Sequence, residues 1–221
     1  MTYAALVSQR PTARSGSQFA VNERPDIEAL VPPQTRALLD VGCGTGRLGA
    51  SLKALGIPRV VGVDLNPAAA EQARALLDEV VVADIERDEL PFEDASFDCI
   101  VYGDVLEHLV DPWATLDKQR RYLDPAGSVI VSIPNVAHWR NVLDVVRGRW
   151  EYTPSGMLDA THLRFFTWSG IEQLLDQAGY RIEHVKTPIA RGSKSALLNR
   201  ITRRRLEHLL VWRYVVVARP V

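Results

Sequence analysis

Two stretches hold residues whose types and spacing suit chemistry. Residues 36–52, RALLDVGCGTGRLGASL, place Asp40 two residues ahead of Gly42, with Gly44, Gly46 and Gly49 following. From Gly44 onward the loop is G-x-G-x-x-G, and Asp64 follows about 20 residues later, the spacing of a dinucleotide site. From Gly42 onward it is D-x-G-x-G-x-G, headed by Asp40 and carrying Cys43. The second stretch, GDVLEHL, sets Asp104, Glu107 and His108 at i, i+3 and i+4, one face if the segment is helical. That face reads either as a capping box, with Asp104 as N-cap and Glu107 at N3, or as a reactive site. In the second case His108 is a general base or, with both acids, a ligand for a hard divalent cation. His138 and His162 are alternate bases, and Asp159 and Arg164 lie in the same later segment.

The elements that must position these residues alternate along the chain. Short apolar runs at 36–42, 59–65, 79–85, 97–104, 127–134, 181–189 and 212–220 read as strands, separated by amphipathic segments such as RLGASLKALG, PAAAEQARALL, PWATLDKQRRYL and TWSGIEQLLDQAGY. Such alternation predicts an α/β fold, a doubly wound, mostly parallel sheet with helices on both faces. Ligands then bind beyond the carboxyl ends of the strands. Residues 1–24 lack periodicity and read as an arm or lid, followed by one domain over 25–221. Two segments interrupt the rhythm. Residues 135–166 are a candidate substrate cover, and residues 190–210 are a basic insertion in which RITRRRLEHLL reads as a helix with Arg200, Arg203 and Arg204 to one side. An anion such as a nucleotide diphosphate or a lipid-carrier headgroup would suit that side.

At 221 residues and 47% hydrophobic composition the chain can bury one sizeable core, and its net charge of −1 argues against nucleic acid as the main partner. Two cysteines, Cys43 and Cys99, are too few for a disulfide framework and point to a reducing cytoplasm. No apolar run approaches the length of a membrane span, so stable membrane insertion is not expected. A homodimer is compatible with these features.

Asp40 separates the two readings of the glycine loop. A pyrophosphate at the loop would meet its repulsion, whereas S-adenosylmethionine brings a sulfonium, an ammonium and a single carboxylate. Asp64, ending the second strand, can accept ribose hydroxyls for either ligand. Asp84 in ADI can accept the adenine amino group, with an Ile85 N–H to the ring. The ordered series LLDVGCGTG, VVGVDLNP, VVVADIE, LPFEDASFDCIVYGDVLEHL and LDPAGSVIVSIPN resembles the class I S-adenosylmethionine-dependent methyltransferases, in the branch similar to ubiquinone-biosynthesis enzymes. The later GRWEYTPSGMLDATHLRFFTWSGIEQLLDQAGY resembles members encoded beside glycosyltransferases in bacterial polysaccharide and natural-product pathways.

The resemblance implies a Rossmann-like sheet of seven strands with the last one antiparallel. It implies a cofactor lined by Asp40, Gly42, Cys43, Gly44, Gly46, Asp64, Leu65, Asp84 and Ile85, with the backbone near Tyr102, Gly103 and Asp104 meeting the methionine ammonium. It also implies a metal option at Asp104, Glu107 and His108. The expected reaction is methyl transfer to a hydroxyl or amine of a small molecule, including a nucleotide- or carrier-linked sugar, releasing S-adenosylhomocysteine. A nicotinamide-dependent oxidoreductase and a regulatory cofactor-binding module are the alternatives.

Overall fold

The structure, a computed structural model, describes residues 24–189 and 194–221. Its strands are β1 (Ala37–Val41), β2 (Arg59–Asp64), β3 (Glu79–Val82), β4 (Phe97–Gly103), β5 (Leu123–Pro134), β6 (Tyr180–Lys186) and β7 (Arg213–Pro220). They form one sheet in the order β3-β2-β1-β4-β5-β7-β6. The pairings from β3 through β5 are parallel, and β7 runs antiparallel to both of its neighbours. The inner strands are apolar on both faces because both are covered: Leu39, Val41, Ile100, Tyr102, Val129 and Val131 face one core, and Leu38, Val60, Cys99, Val101 and Ile130 the other.

The helices are α1 (Pro25–Glu28), α2 (Arg47–Ala54), α3 (Pro67–Ala73), α4 (Pro112–Gln119), α5 (Trp139–Val146), α6 (Trp168–Gln177), α7 (Lys194–Ile201) and α8 (Glu207–Leu210). Local chemistry starts three of them. Asn66 caps α3 by accepting the Ala68 and Ala69 amides, Asp111 accepts the Ala114 amide at α4, and Thr167 accepts the Gly170 amide at α6. Pro67 and Pro112 follow their caps directly, where a missing N–H costs nothing.

Three expectations are corrected. GDVLEHL is not an α-helix: only Leu106–His108 turns, as a single 3-10 turn, and its cap position is Val105. Asp104 sits at φ +60°, outside helical space, and its carboxylate is held by arginines instead of amides, so there is no capping box. The third strand stops at Val82, leaving Asp84 and Ile85 in the turn beyond it. The basic helix breaks after Ile201, where Arg203 and Arg204 take left-handed φ of +49° and +65°, so Arg200, Arg203 and Arg204 do not share a helical side. The arm expected over residues 1–24 lies outside the described residues except for Arg24.

Candidate functional site

The carboxyl ends of β3, β2, β1 and β4 lie side by side at one edge of the sheet, because these strands are parallel neighbours. From β1 the chain turns through Gly42, Gly44 and Gly46, all at positive φ, and Gly46 is the cap of α2. The Gly42 and Cys43 amides both donate to the Val63 carbonyl, at 2.7 and 3.0 Å, pinning the loop over β2. Gly42 is required twice over. Its φ is +70°, and a Cβ there would stand 2.6 Å from Val105 Cγ2. At Gly44 a Cβ would meet nothing within 4 Å among the described residues, which leave this part of the loop open.

Asp64 organises the loop from below. One of its oxygens accepts the Gly44 amide at 2.7 Å and the other the Asn66 amide at 2.8 Å. Next to it Leu65 is exposed. Asp40 is buried, and its Oδ2 has no partner among the described residues. Burial, reinforced by the nearby Asp64 charge, pushes the Asp40 carboxyl up to about 7, against the pull of the Gly49 amide and Arg24. Asp84 accepts the Glu86 amide and approaches Arg87, while the Ile85 carbonyl accepts from Gln119. Their turn is thereby fixed against α4. Two expected residues can serve only through their backbone. The Cys43 side chain folds inward over Gly62, and burial pushes its thiol up. The Tyr102 ring lies wholly within the core.

Sequence reasoning missed Arg24. It reaches the end of β4, where it donates to Asp104 Oδ2 at 2.9 Å and Ser132 Oγ at 2.7 Å while pairing with Asp26. Arg213 adds a second bond to Asp104 at 3.0 Å. A guanidinium therefore lies beside Gly103, where the resemblance implied an ammonium-binding backbone. Eighty positions separate Arg24 from Asp104, and no local pattern announces the pair.

The second group joins the turn after β4 to the 135–166 segment. The Glu107 carbonyl accepts the Leu163 and Arg164 amides at 2.8 and 3.0 Å, and the Arg164 guanidinium donates to the Val110 carbonyl. Asp159 does not pair with Arg164; it accepts from Thr161. This stitching brings His162 to His108, their rings edge to face with centroids 4.7 Å apart. The His162 Nδ1 donates to the Met157 carbonyl at 3.1 Å, leaving Nε2 to face Glu107 Oε1 at 3.9 Å. His108 Nδ1 lies 3.1 Å from the Thr161 hydroxyl. Glu107 is buried with both oxygens unpartnered among the described residues, and burial, with Asp104 adding to it, pushes its carboxyl up to about 8. Burial, followed by the neighbouring His162, lowers the His108 imidazole below its ordinary value.

Glu107, His108 and His162 each offer a ligand atom within 4.8 Å of the others. The cluster differs from the expected Asp104, Glu107 and His108, because Asp104 is taken by Arg24 and Arg213. His138 stands elsewhere: its ring neighbours are Trp139 and Trp212, at 5.8 and 5.1 Å. A cleft of about 500 Å³ opens in the 135–166 segment, with Asn141, Thr153, Met157 and Trp212 among its lining. Met157 connects it to the histidine pair through the bond to His162.

A family model described as "Methyltransferase domain" matches residues 18–185, more than half of the chain. The chain is 34% identical over 148 residues to a protein of Mycolicibacterium smegmatis named a probable S-adenosylmethionine-dependent methyltransferase, an alignment covering 67% of this chain and 53% of the relative. It is 29% identical over 168 residues to a ubiquinone biosynthesis O-methyltransferase of Cereibacter sphaeroides, covering 73% of this chain and 67% of that protein. The first two curated relatives are matched over only 33% and 53% of their own lengths. A solved structure of a SAM dependent methyltransferase from Archaeoglobus fulgidus superposes with a TM-score of 0.67 at 18% identity, covering 99% of this chain and 100% of that one, a likeness of fold.

Proposed function

The chain belongs to the methyltransferase-domain family, and from that premise we propose that it moves the methyl group of S-adenosylmethionine to a small-molecule acceptor, most readily a hydroxyl of a saccharide or related natural-product intermediate. An amine acceptor would use the same site with less need of a base. Membership overturns the nicotinamide-dependent reading. The observation that carries the cofactor assignment is Asp40, a buried carboxyl with an unpartnered oxygen beneath a glycine loop that the described residues leave open at Gly44. A cationic ligand supplies what that carboxyl lacks, and a pyrophosphate does not.

Asp64 and Leu65 would hold the ribose, Asp84 and Ile85 the adenine, and Gly42, Gly44 and Gly46 the backbone cradle. Arg24, beside Gly103, suits the methionine carboxylate. When bound, S-adenosylmethionine supplies a methyl already activated on sulfur, so the protein chiefly contributes alignment. A hydroxyl acceptor must also lose a proton as its oxygen displaces the thioether. His108 is the base proposed to take it. Its lowered pKa favours the neutral imidazole, and its Thr161 contacts fix the ring. The cleft joined to His162 through Met157 is the proposed acceptor site, with Trp212 a face for a sugar ring. His162 orients the pair, and His138 is assigned no part.

A second reading rests on Glu107. Two orphaned carboxylate oxygens opposite His162 would suit a cation, and with His108 they form a set of two imidazoles and one carboxylate that favours Mn²⁺ or Zn²⁺ over Mg²⁺. One pair of assays separates the readings. With a base at His108, His108→Ala lowers kcat by about 10²–10⁴ while S-adenosylmethionine affinity holds, activity survives chelator, and the acidic limb of the pH profile lies below the ordinary histidine value. With a metal, chelation abolishes activity, Mn²⁺ restores it, and Glu107→Gln is as damaging as His108→Ala. Full activity in His108→Ala under chelation would sink both, and cofactor binding without turnover on any saccharide acceptor would favour the regulatory module.

A further inference from the structure

Helix α5 is built inside out. Its inward side chains are polar: Asn141 is buried, donating to the Val136 carbonyl and the Met157 sulfur, and Asp144 is half-buried. Its apolar side chains point to solvent. Trp139, Val142, Leu143 and Val146 recur at i, i+3, i+4 and i+7, one continuous stripe, and are 42%, 39%, 37% and 77% exposed. In a helix that packs on its own protein this stripe would face the core. None of the four belongs to either core, and each leaves more than a third of its surface open.

The composition around the stripe selects its occupant. Residues 139–150 hold Arg140, Arg147 and Arg149 against a single acid, Asp144, which pairs with Arg149. Indoles mark both ends, Trp139 and Trp150, each about two-fifths exposed. A second copy meeting this face about a two-fold axis would set the same arginine-bearing segment against itself, like charge against like. A negatively charged lipid surface meets every feature at once: apolar side chains enter the acyl boundary, indoles sit at the interface, and guanidiniums meet headgroup phosphates. No helix among the described residues is long and apolar enough to cross a membrane, so contact of this kind lies in the plane of the surface.

We propose that the exposed face of α5, with Arg140 and Arg147, is a peripheral docking surface for anionic lipid. The surface stands on its own observations.

The test is flotation of the full chain with vesicles of phosphatidylcholine alone and with a third of the lipid replaced by phosphatidylglycerol. Binding is expected to the anionic vesicles, weakened by salt and at least tenfold weaker to neutral ones. The double variant Val142→Asp/Val146→Asp, altering two exposed positions, should lose vesicle binding at least tenfold while keeping its thermal midpoint and S-adenosylmethionine affinity. Arg140→Glu/Arg147→Glu should remove the preference for anionic lipid. The proposal is overturned by absence of binding to anionic vesicles, or by binding that the aspartate variant leaves intact. It is overturned equally by a dimer in sedimentation equilibrium that the aspartate variant dissociates while vesicles stay unbound, since the occupant is then a second copy. Methyl transfer to a soluble acceptor should be the same in the aspartate variant as in the parent, so failure of the lipid surface is told apart from failure of the acceptor reading.

Discussion

At the scale of single residues, Asp40 does more than repel phosphate. Held near pKa 7 by burial, it is part protonated in the free protein at neutrality, and a sulfonium or ammonium nearby would drive it to ionise. S-adenosylmethionine binding near pH 7 should therefore release a fraction of a proton, read by calorimetry in buffers of different ionisation enthalpy, and Asp40→Asn should release none. Equal proton release in the two proteins would remove Asp40 from the ligand's field. Asp64 tests differently, because both of its oxygens already hold backbone amides. Asp64→Ala should weaken cofactor binding by about 1–3 kcal/mol and lower thermal stability as well, since the Gly44 and Asn66 amides lose their acceptor. These acids were legible in the sequence because each sits at a fixed offset from a strand or a glycine. Arg24 and the Glu107–His162 approach were not, since their partners lie on distant elements and the folded chain alone brings them together.

At the scale of elements, the glycine loop and the turn after β4 are fitted to each other through Gly42 and Val105. Gly42→Ala should cost about 1–3 kcal/mol from its left-handed backbone together with the clash. Adding Val105→Ala should recover the steric share and leave the backbone share. Urea unfolding of the four proteins in a double-mutant cycle measures the split, and strict additivity would show that the two residues do not meet. The alternation of runs along the chain was enough to read the strands and most of the helices, because period and punctuation are local. GDVLEHL misled for a physical reason. Its i, i+3, i+4 spacing suits a helix, but Asp104 is drawn into left-handed backbone and held by Arg24 and Arg213, leaving room for one 3-10 turn. The expected basic helix failed for want of any cue to the left-handed pair Arg203 and Arg204.

At the scale of the whole molecule, two buried carboxyls with raised pKa make stability depend on pH. Asp40 at about 7 and Glu107 at about 8 bind protons more tightly folded than unfolded. Their contribution is full below the ordinary carboxylate range and is lost as pH rises through those values, a few kcal/mol each as an order of magnitude. The ligand-free protein should show a thermal midpoint that declines between about pH 5 and 8.5, and Asp40→Asn with Glu107→Gln should flatten that decline. A midpoint that climbs across this interval would contradict both shifts. The sheet order carries a consequence of another kind. Among the described residues strand β6 pairs with β7 alone, and β7 also closes the edge of β5. On the ribosome β6 emerges first and waits for the stretch between Lys186 and Arg213, roughly one to five seconds of synthesis at about 5–20 residues per second. During that interval the nascent chain carries a stranded β6 and a bare β5 edge. The final strand is thus the keystone of the sheet, and the window before it arrives is when a chaperone has most to guard.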